Sequence, residues 1–181
     1  MTPDEGDGIR SGAILFDVAV DSIGNSLYAV WQDARFTGFD QIAFSQSSDG
    51  GMTWSAPVRV NQTPDTPANT LRQQALIPSI AVTDNGTLGV TYYDFRFDDE
   101  TGEWADYWLA TCSGGCSDPA NWDHEVRLTE NSFDYALAPV ARGLFLGDYT
   151  GLVSDGTDFL AVFGQATVPG QSNMYFRRAL P

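Results

Sequence analysis

The sequence predicts an all-β protein, and three observations carry that prediction. Aromatic residues make up 13% of the chain, no stretch shows helical periodicity, and one apolar pattern returns along the chain. Leu27-Tyr-Ala-Val-Trp-Gln-Asp-Ala-Arg35 is matched by Leu88-Gly-Val-Thr-Tyr-Tyr-Asp-Phe-Arg96, so Asp33 and Asp94, and likewise Arg35 and Arg96, stand 61 positions apart. A weaker third copy, Leu160-Ala-Val-Phe-Gly-Gln-Ala-Thr167, keeps the apolar body but has Gln165 and Thr167 in place of Asp and Arg.

Each copy follows one order. An apolar first strand covers Ala13–Val20, Ile77–Val82 and Leu144–Val153. Turns at Asp21–Asn25, Asp84–Gly86 and Asp155–Gly156 follow, built from residues that accept tight backbone conformations. The matched segments are the second strands. They are apolar on both faces, as strands covered from both sides are. Loops of variable length lead to third strands at Gln41–Gln46, Asp106–Thr111 and Asn173–Arg178. Fourth strands follow at Pro57–Asn61 and Glu125–Thr129, and the third copy ends after its third strand. Four short strands per repeat describe a β-propeller of four-stranded antiparallel blades. About three are expected in a single domain: blade 1 at about 13–61, blade 2 at about 76–130, and blade 3 at about 143–180 without its outer strand. A plain β-sandwich is the alternative.

Between the third and fourth strands of the first copy stands Ser47-Ser-Asp-Gly-Gly-Met-Thr-Trp54, of the form Ser-x-Asp-x-Gly-x-Thr-Trp. Asp49 can accept hydrogen bonds from backbone N–H groups ahead of it. Gly50 and Gly51 can take positive φ. The Ser47 and Thr53 hydroxyls can tie down the loop, and Trp54 can cover it while its indole N–H finds a partner. In the second copy, Cys112 to Trp122 occupies this position, with Trp122 in the place of Trp54. Cys112 and Cys116, in Cys-Ser-Gly-Gly-Cys, are the only cysteines. They can form a disulfide in an oxidising compartment, remain free thiols, or contribute to a metal site.

The octapeptide is identified as an Asp-box, or bacterial neuraminidase repeat, and through it the chain resembles the sialidase-like β-propellers. Gly89 to Arg96, Ala105-Asp-Tyr-Trp-Leu109 and Ala138 to Leu152 look like the C-terminal half of bacterial secreted proteins of the exo-α-sialidase family. The likeness runs from about residue 13 to 178. It implies a six-bladed ring, only partly present, with the box in a structural role on the face away from the active site. It also implies cleavage of terminal sialic acid with retention. Three arginines would grip the sugar carboxylate, an Asp would act as acid and base, and a Tyr nucleophile would be assisted by a Glu. The Phe-Arg-Ile-Pro or Tyr-Arg-Ile-Pro segment that carries the first arginine is absent, so the catalytic set is expected to be incomplete. A non-catalytic propeller that binds glycan or protein is the alternative, and a scaffold stabilised by its box is a third.

The loops opposite the box hold Asp33, Arg35, Arg72, Asp94, Arg96, Asp98, Asp99, Glu100, Asp134, Tyr135 and Arg142. Substrate-binding candidates are Arg35, Arg96 and Arg142 with Asp33 and Asp94. The repeated Asp–Arg pairs read equally as devices that satisfy loop backbone. Asp148 and Tyr149, placed in a first strand lining the channel, are catalytic candidates or channel packing. Asp98 to Glu103 is a candidate calcium loop or simply a solvated acidic one. No other cofactor is expected. His124, the only histidine, reads as structural.

The net charge is −15, which argues against nucleic acid and anionic membranes as partners. All nine basic residues are Arg, a sign of either high-salt adaptation or compositional bias. No run is long and apolar enough for a membrane-spanning helix. The polar start, Met1 to Gly8, is not a signal peptide. The expected setting is extracellular, with the chain as a piece of a longer protein. A half ring would leave two blade faces open to water, so two copies completing one ring is the other possibility.

Overall fold

The computed structural model describes residues 8–11, 15–21, 24–65, 71–99 and 101–181. The expected strand start at Ala13, part of the Asp21–Asn25 turn, and Glu100 lie outside them. Among the described residues the protein is all-β, with three antiparallel sheets, none closed on itself. The first runs in the order β1 (Phe16–Val20), β2 (Leu27–Asp33), β3 (Gln41–Ser47), β4 (Val58–Arg59). The second runs β5 (Ala75–Val82), β6 (Leu88–Asp94), β7 (Trp104–Cys112), β8 (His124–Arg127), with β9 (Phe133–Asp134) paired to the start of β7. The third has β10 (Gly151–Ser154), β11 (Phe159–Val168) and β12 (Gln171–Ala179).

Register fixes two opposite edges. Leu27 pairs with Ser47, and Asp33 with Gln41. Leu88 pairs with Cys112, and Asp94 with Asp106. The Ser47–Trp54 turn and the Cys112–Cys116 loop therefore share one edge, called here the box edge. The residues after Asp33 and Asp94 share the other, the loop edge.

The repeat also governs how the sheets stack. Side chains alternate along a strand, so each second strand presents two faces. Tyr28, Val30, Ile42 and Phe44 of the first sheet pack against Ile80, Leu88, Val90, Tyr92 and Trp108 of the second. The opposite face of the second sheet, with Ala81, Tyr93, Tyr107 and Leu109, packs against Phe159, Ala161 and Phe163 of the third. Tyr107 stacks on Phe163 with centroids 4.3 Å apart. Gly89 is required at this contact: a Cβ there would lie 2.6 Å from the Phe159 ring. The burial of β6 along its whole length matches its apolar pattern.

One expected strand is corrected. Leu144–Val153 does not form a single strand; β10 begins only at Gly151. Asp148 and Tyr149 therefore precede the strand. Gly143 and Gly147 take φ of 127° and 128°, and Arg142 takes 63°, which breaks the extended path. This segment pairs instead with the start of the chain. Arg10 N–H donates to the Leu144 carbonyl at 3.0 Å, and Leu144 N–H donates to the Gly8 carbonyl at 2.9 Å. The fourth strands are also shorter than expected, with β4 reduced to two residues.

Candidate functional site

The box edge closes on itself. Asp49 Oδ1 accepts from the Ser47 hydroxyl at 2.8 Å and from Thr53 N–H at 2.9 Å, and Oδ2 accepts from the Thr53 hydroxyl at 2.6 Å. Gly51 N–H donates to the Ser47 hydroxyl at 2.9 Å, and the Trp54 indole donates to the Gly51 carbonyl at 3.2 Å. Gly50 and Gly51 take φ of 74° and 92°. The Thr53 hydroxyl first, then Thr53 N–H and Ser47, hold the Asp49 carboxyl down at about 2. In the second sheet, Cys112 and Cys116 are joined in a disulfide. The Trp122 indole donates to the Cys116 carbonyl at 3.0 Å and packs edge-on against Phe44 at 5.1 Å. Trp122 thus makes the same kind of bond to its own loop as Trp54, but is buried between two sheets.

The loop edge repeats an Asp–Arg pair in the two positions the sequence repeats. Arg35 N–H donates to Asp33 Oδ1 at 2.9 Å, and its guanidinium meets Asp33 Oδ2 at 2.7 Å. Partial burial opposes ionisation of Asp33, but the Arg35 bonds outweigh it and lower the carboxyl. The second pair is buried. Arg96 Nε meets Asp94 Oδ2 at 2.6 Å, Nη1 pairs with Glu125, and the guanidinium lies 3.9 Å from the Trp108 ring centre. Thr63 donates to Asp94 at 2.7 Å, and Asn61 links Thr63 to Gln41. Burial pushes Asp94 upward and Glu125 to about 7. The guanidinium between them supplies the compensating charge.

Several buried polar atoms at this edge have no hydrogen-bond partner among the described residues: Arg96 Nη2, Trp108 Nε1, Tyr92 Oη, Arg72 Nε and Glu103 Oε2. The edge also holds strain. Ile77, β-branched, sits at φ 54° in an irregularity of β5, its N–H donating to Gln32 at 3.1 Å.

An acidic corner surrounds Glu103. Its N–H donates to Asp134 Oδ1 at 3.1 Å, its carbonyl accepts from Tyr135 N–H at 2.8 Å, and the next residue, Trp104, donates to Asp98 at 3.2 Å. Burial, then the charges of Asp134 and Asp98, push the half-buried Glu103 carboxyl up to about 7. Burial also drives the Tyr135 phenol well above its ordinary range. In the candidate calcium loop, Asp98 Oδ1 accepts from Trp104 N–H, and Asp99 Oδ1 accepts from the Thr101 N–H and hydroxyl. No metal-binding group of three His, Cys, Asp or Glu side chains forms among the described residues.

Of the remaining candidates, Arg142 is exposed and has no ion pair among the described residues. Asp148 pairs with Arg10 at 3.2 Å, and that guanidinium lies 4.2 Å from the Phe145 ring centre. Tyr149 is 73% exposed. The structure thus places Asp33, Arg35, Asp94, Arg96, Arg142, Asp148 and Tyr149 on one edge, but closes most of the charges in pairs. Arg10 and Glu103 carry no local signal as site residues, because their partners Asp148 and Asp134 lie far along the chain. Glu103 was visible only as part of an acidic run.

The chain matches no protein-family model and no curated protein. No helix among the described residues is long and apolar enough to cross a membrane.

Proposed function

We propose that the chain is part of a sialidase-like β-propeller whose loop edge acts on glycans. Each sheet would be a blade, and the third would lack its outer strand. The reading extends to a retaining exo-glycosidase of the exo-α-sialidase kind, working outside the cell, with its site incomplete in this chain. The observation that carries it is the Asp-box turn: Ser47, Asp49, Gly51, Thr53 and Trp54 all serve one closed hydrogen-bonded loop between a third and a fourth strand. The opposite edge adds support. It offers Arg142 as an open cation for a sugar carboxylate and Glu103 as an acid that keeps its proton near neutral pH. It also offers exposed rings at Phe97 and Tyr149. Asp148 and Tyr149 stay as the proposed catalytic positions, with Asp148 oriented by Arg10.

A second reading, a non-catalytic module that binds glycan or protein, is favoured by one observation. Arg35 and Arg96 are committed to Asp33, Asp94 and Glu125, leaving few free groups for chemistry. Calorimetric titration with a sialylated oligosaccharide and its desialylated form tests both readings, beside an assay with a fluorogenic α-sialoside. We expect binding of the sialylated form, its loss in Arg142→Ala, and no turnover by this chain. Turnover would overturn the incomplete site, and equal indifference to both sugars would overturn the glycan reading.

A further inference from the structure

The two outer sheets each leave one face open, and the open faces are unlike. On the first sheet the open face carries Phe16, Val18 and Val20, which are 67%, 54% and 56% exposed. They stand opposite Trp31, Ala29 and Leu27. On the third sheet it carries Val153, Val162, Met174 and Phe176, of which Met174 is 67% exposed and Phe176 55%. Val162 pairs with Phe176, and Gly164 with Met174. Large exposed apolar rows of this kind mark an interaction surface.

The repeat identifies what each face fits. Leu27, Ala29 and Trp31 hold the positions that Leu88, Val90 and Tyr92 hold in the second sheet, where they are buried against the first. They are also the positions of Phe159, Ala161 and Phe163 in the third sheet, buried against the second. Leu160 and Val162 stand where Tyr28 and Val30 of the first sheet are buried. Both internal interfaces therefore join the same two kinds of face in the same direction. The open face of the third sheet is the first half of a third such interface, and the open face of the first sheet is its second half.

We propose that a second copy of this chain covers both, with the third sheet of each protomer packing on the first sheet of the other. The proposal rests on the propeller reading above, because three sheets and three sheets then close one six-bladed ring. Head-to-tail contacts close in this way only when the rotation allows it, and otherwise continue as filaments. The arrangement would also bring the Arg35 edge of one protomer beside the Arg142 edge of the other, so that the glycan site would be shared.

The test is light scattering over a range of concentrations, with wild type, the double variant Phe16→Asp/Val18→Asp, and the double variant Val162→Asp/Phe176→Asp. The substituted side chains are mostly exposed, and circular dichroism checks that each variant keeps its strands. We expect wild type at twice the chain mass, each variant alone at the chain mass, and dimer regained when the two variants are mixed, since each keeps the half the other lacks. A wild-type monomer at every concentration, open-ended growth, or a dimer that survives either variant would overturn the proposal. The glycan titration separates the two readings. A closed dimer indifferent to sugars sinks the function and spares the ring, whereas a sugar-binding monomer does the reverse.

Discussion

Asp49, at the box edge, is an exposed carboxylate with three donors on its two oxygens. Glu103, at the loop edge, is a half-buried carboxyl with one oxygen left without a partner and two other carboxylates nearby. Asp49 follows the third strand of the first sheet and Glu103 precedes the third strand of the second, so the two differ in which residues their loops gather around them. The Ser47–Trp54 turn is a local device: the partners of Asp49 lie within its eight consecutive residues, and water can reach most of them. The loop edge collects residues from distant parts of the chain and removes them from water before all are paired. Leaving buried polar groups unsatisfied costs free energy, and such groups gather where a ligand or substrate would complete them. Opposite shifts in acidity, Asp49 down and Glu103 up, follow from the same contrast.

The largest effect is expected from Asp94→Ala. Asp94 is fully buried and holds Arg96 and Thr63. Removing it leaves a guanidinium buried with Glu125 alone, at a cost of about 3–5 kcal/mol, to be read from denaturant unfolding. The corresponding Asp33→Ala, whose Arg35 partner is half exposed, should cost about 1 kcal/mol or less. Equal losses at the two positions would mean that the repeated pair does the same work in both sheets and that burial is not what distinguishes them.

This contrast also marks what was legible in the sequence. The second strands, the box and the Asp–Arg pairs were readable because each is encoded within one short segment, by alternation or by fixed spacing. That Arg96 is buried and Arg35 is not depends on β8, whose Glu125 is 29 positions away. The pairing of Arg10 with Asp148, across 138 positions, carries no local signal. The misplaced first strand of the third sheet has the same origin. Leu144 and Leu146 read as strand residues, but Gly143, Gly147 and a partner at Gly8–Arg10 decide their conformation. The acidity of Glu103 needed Asp134, brought close by the pairing of β9 with β7.

A smaller loss is expected from Cys112→Ser/Cys116→Ser. The bridge spans a separation of only four residues, so chain entropy limits its contribution to about 2 kcal/mol. It should also loosen Trp122, whose indole bonds the Cys116 carbonyl, and tryptophan fluorescence would report that. An unchanged spectrum together with unchanged stability would show that the second copy of the turn holds itself without the bond, as the Ser47–Trp54 turn does.

Glu103→Gln should act in the opposite sense and only at higher pH. The folded carboxyl is raised from 4.5 to about 7, so the native state binds its proton more tightly than the unfolded state does. Its stabilising contribution is full below about pH 4.5 and is lost as pH rises through 7. The neutral amide escapes that loss. After allowance for the exposed part of the side chain, the variant should gain about 1–2 kcal/mol over wild type at about pH 8, and little at about pH 4. A gain of the same size at both pH values would place the effect in packing and remove Glu103 as a proton donor near neutrality.

The smallest effect is expected at the box itself, and its pH dependence must have the other sign. The folded Asp49 carboxyl lies at about 2 against an ordinary 3.8, so the unfolded state takes up the proton first as pH falls. The stability Asp49 contributes is present above about pH 4 and disappears as pH falls through 2. Asp49→Asn keeps the size of the side chain and one acceptor oxygen but loses the charge that the Thr53 and Ser47 donors favour. Melting temperatures of wild type and variant should therefore differ above pH 4 and converge toward pH 2. A constant gap across that range would mean that the turn is held by shape and glycine conformation alone. Its carboxylate would then owe nothing to the donors around it, and the electrostatic half of the contrast between the two edges would fail at the Ser47–Trp54 turn.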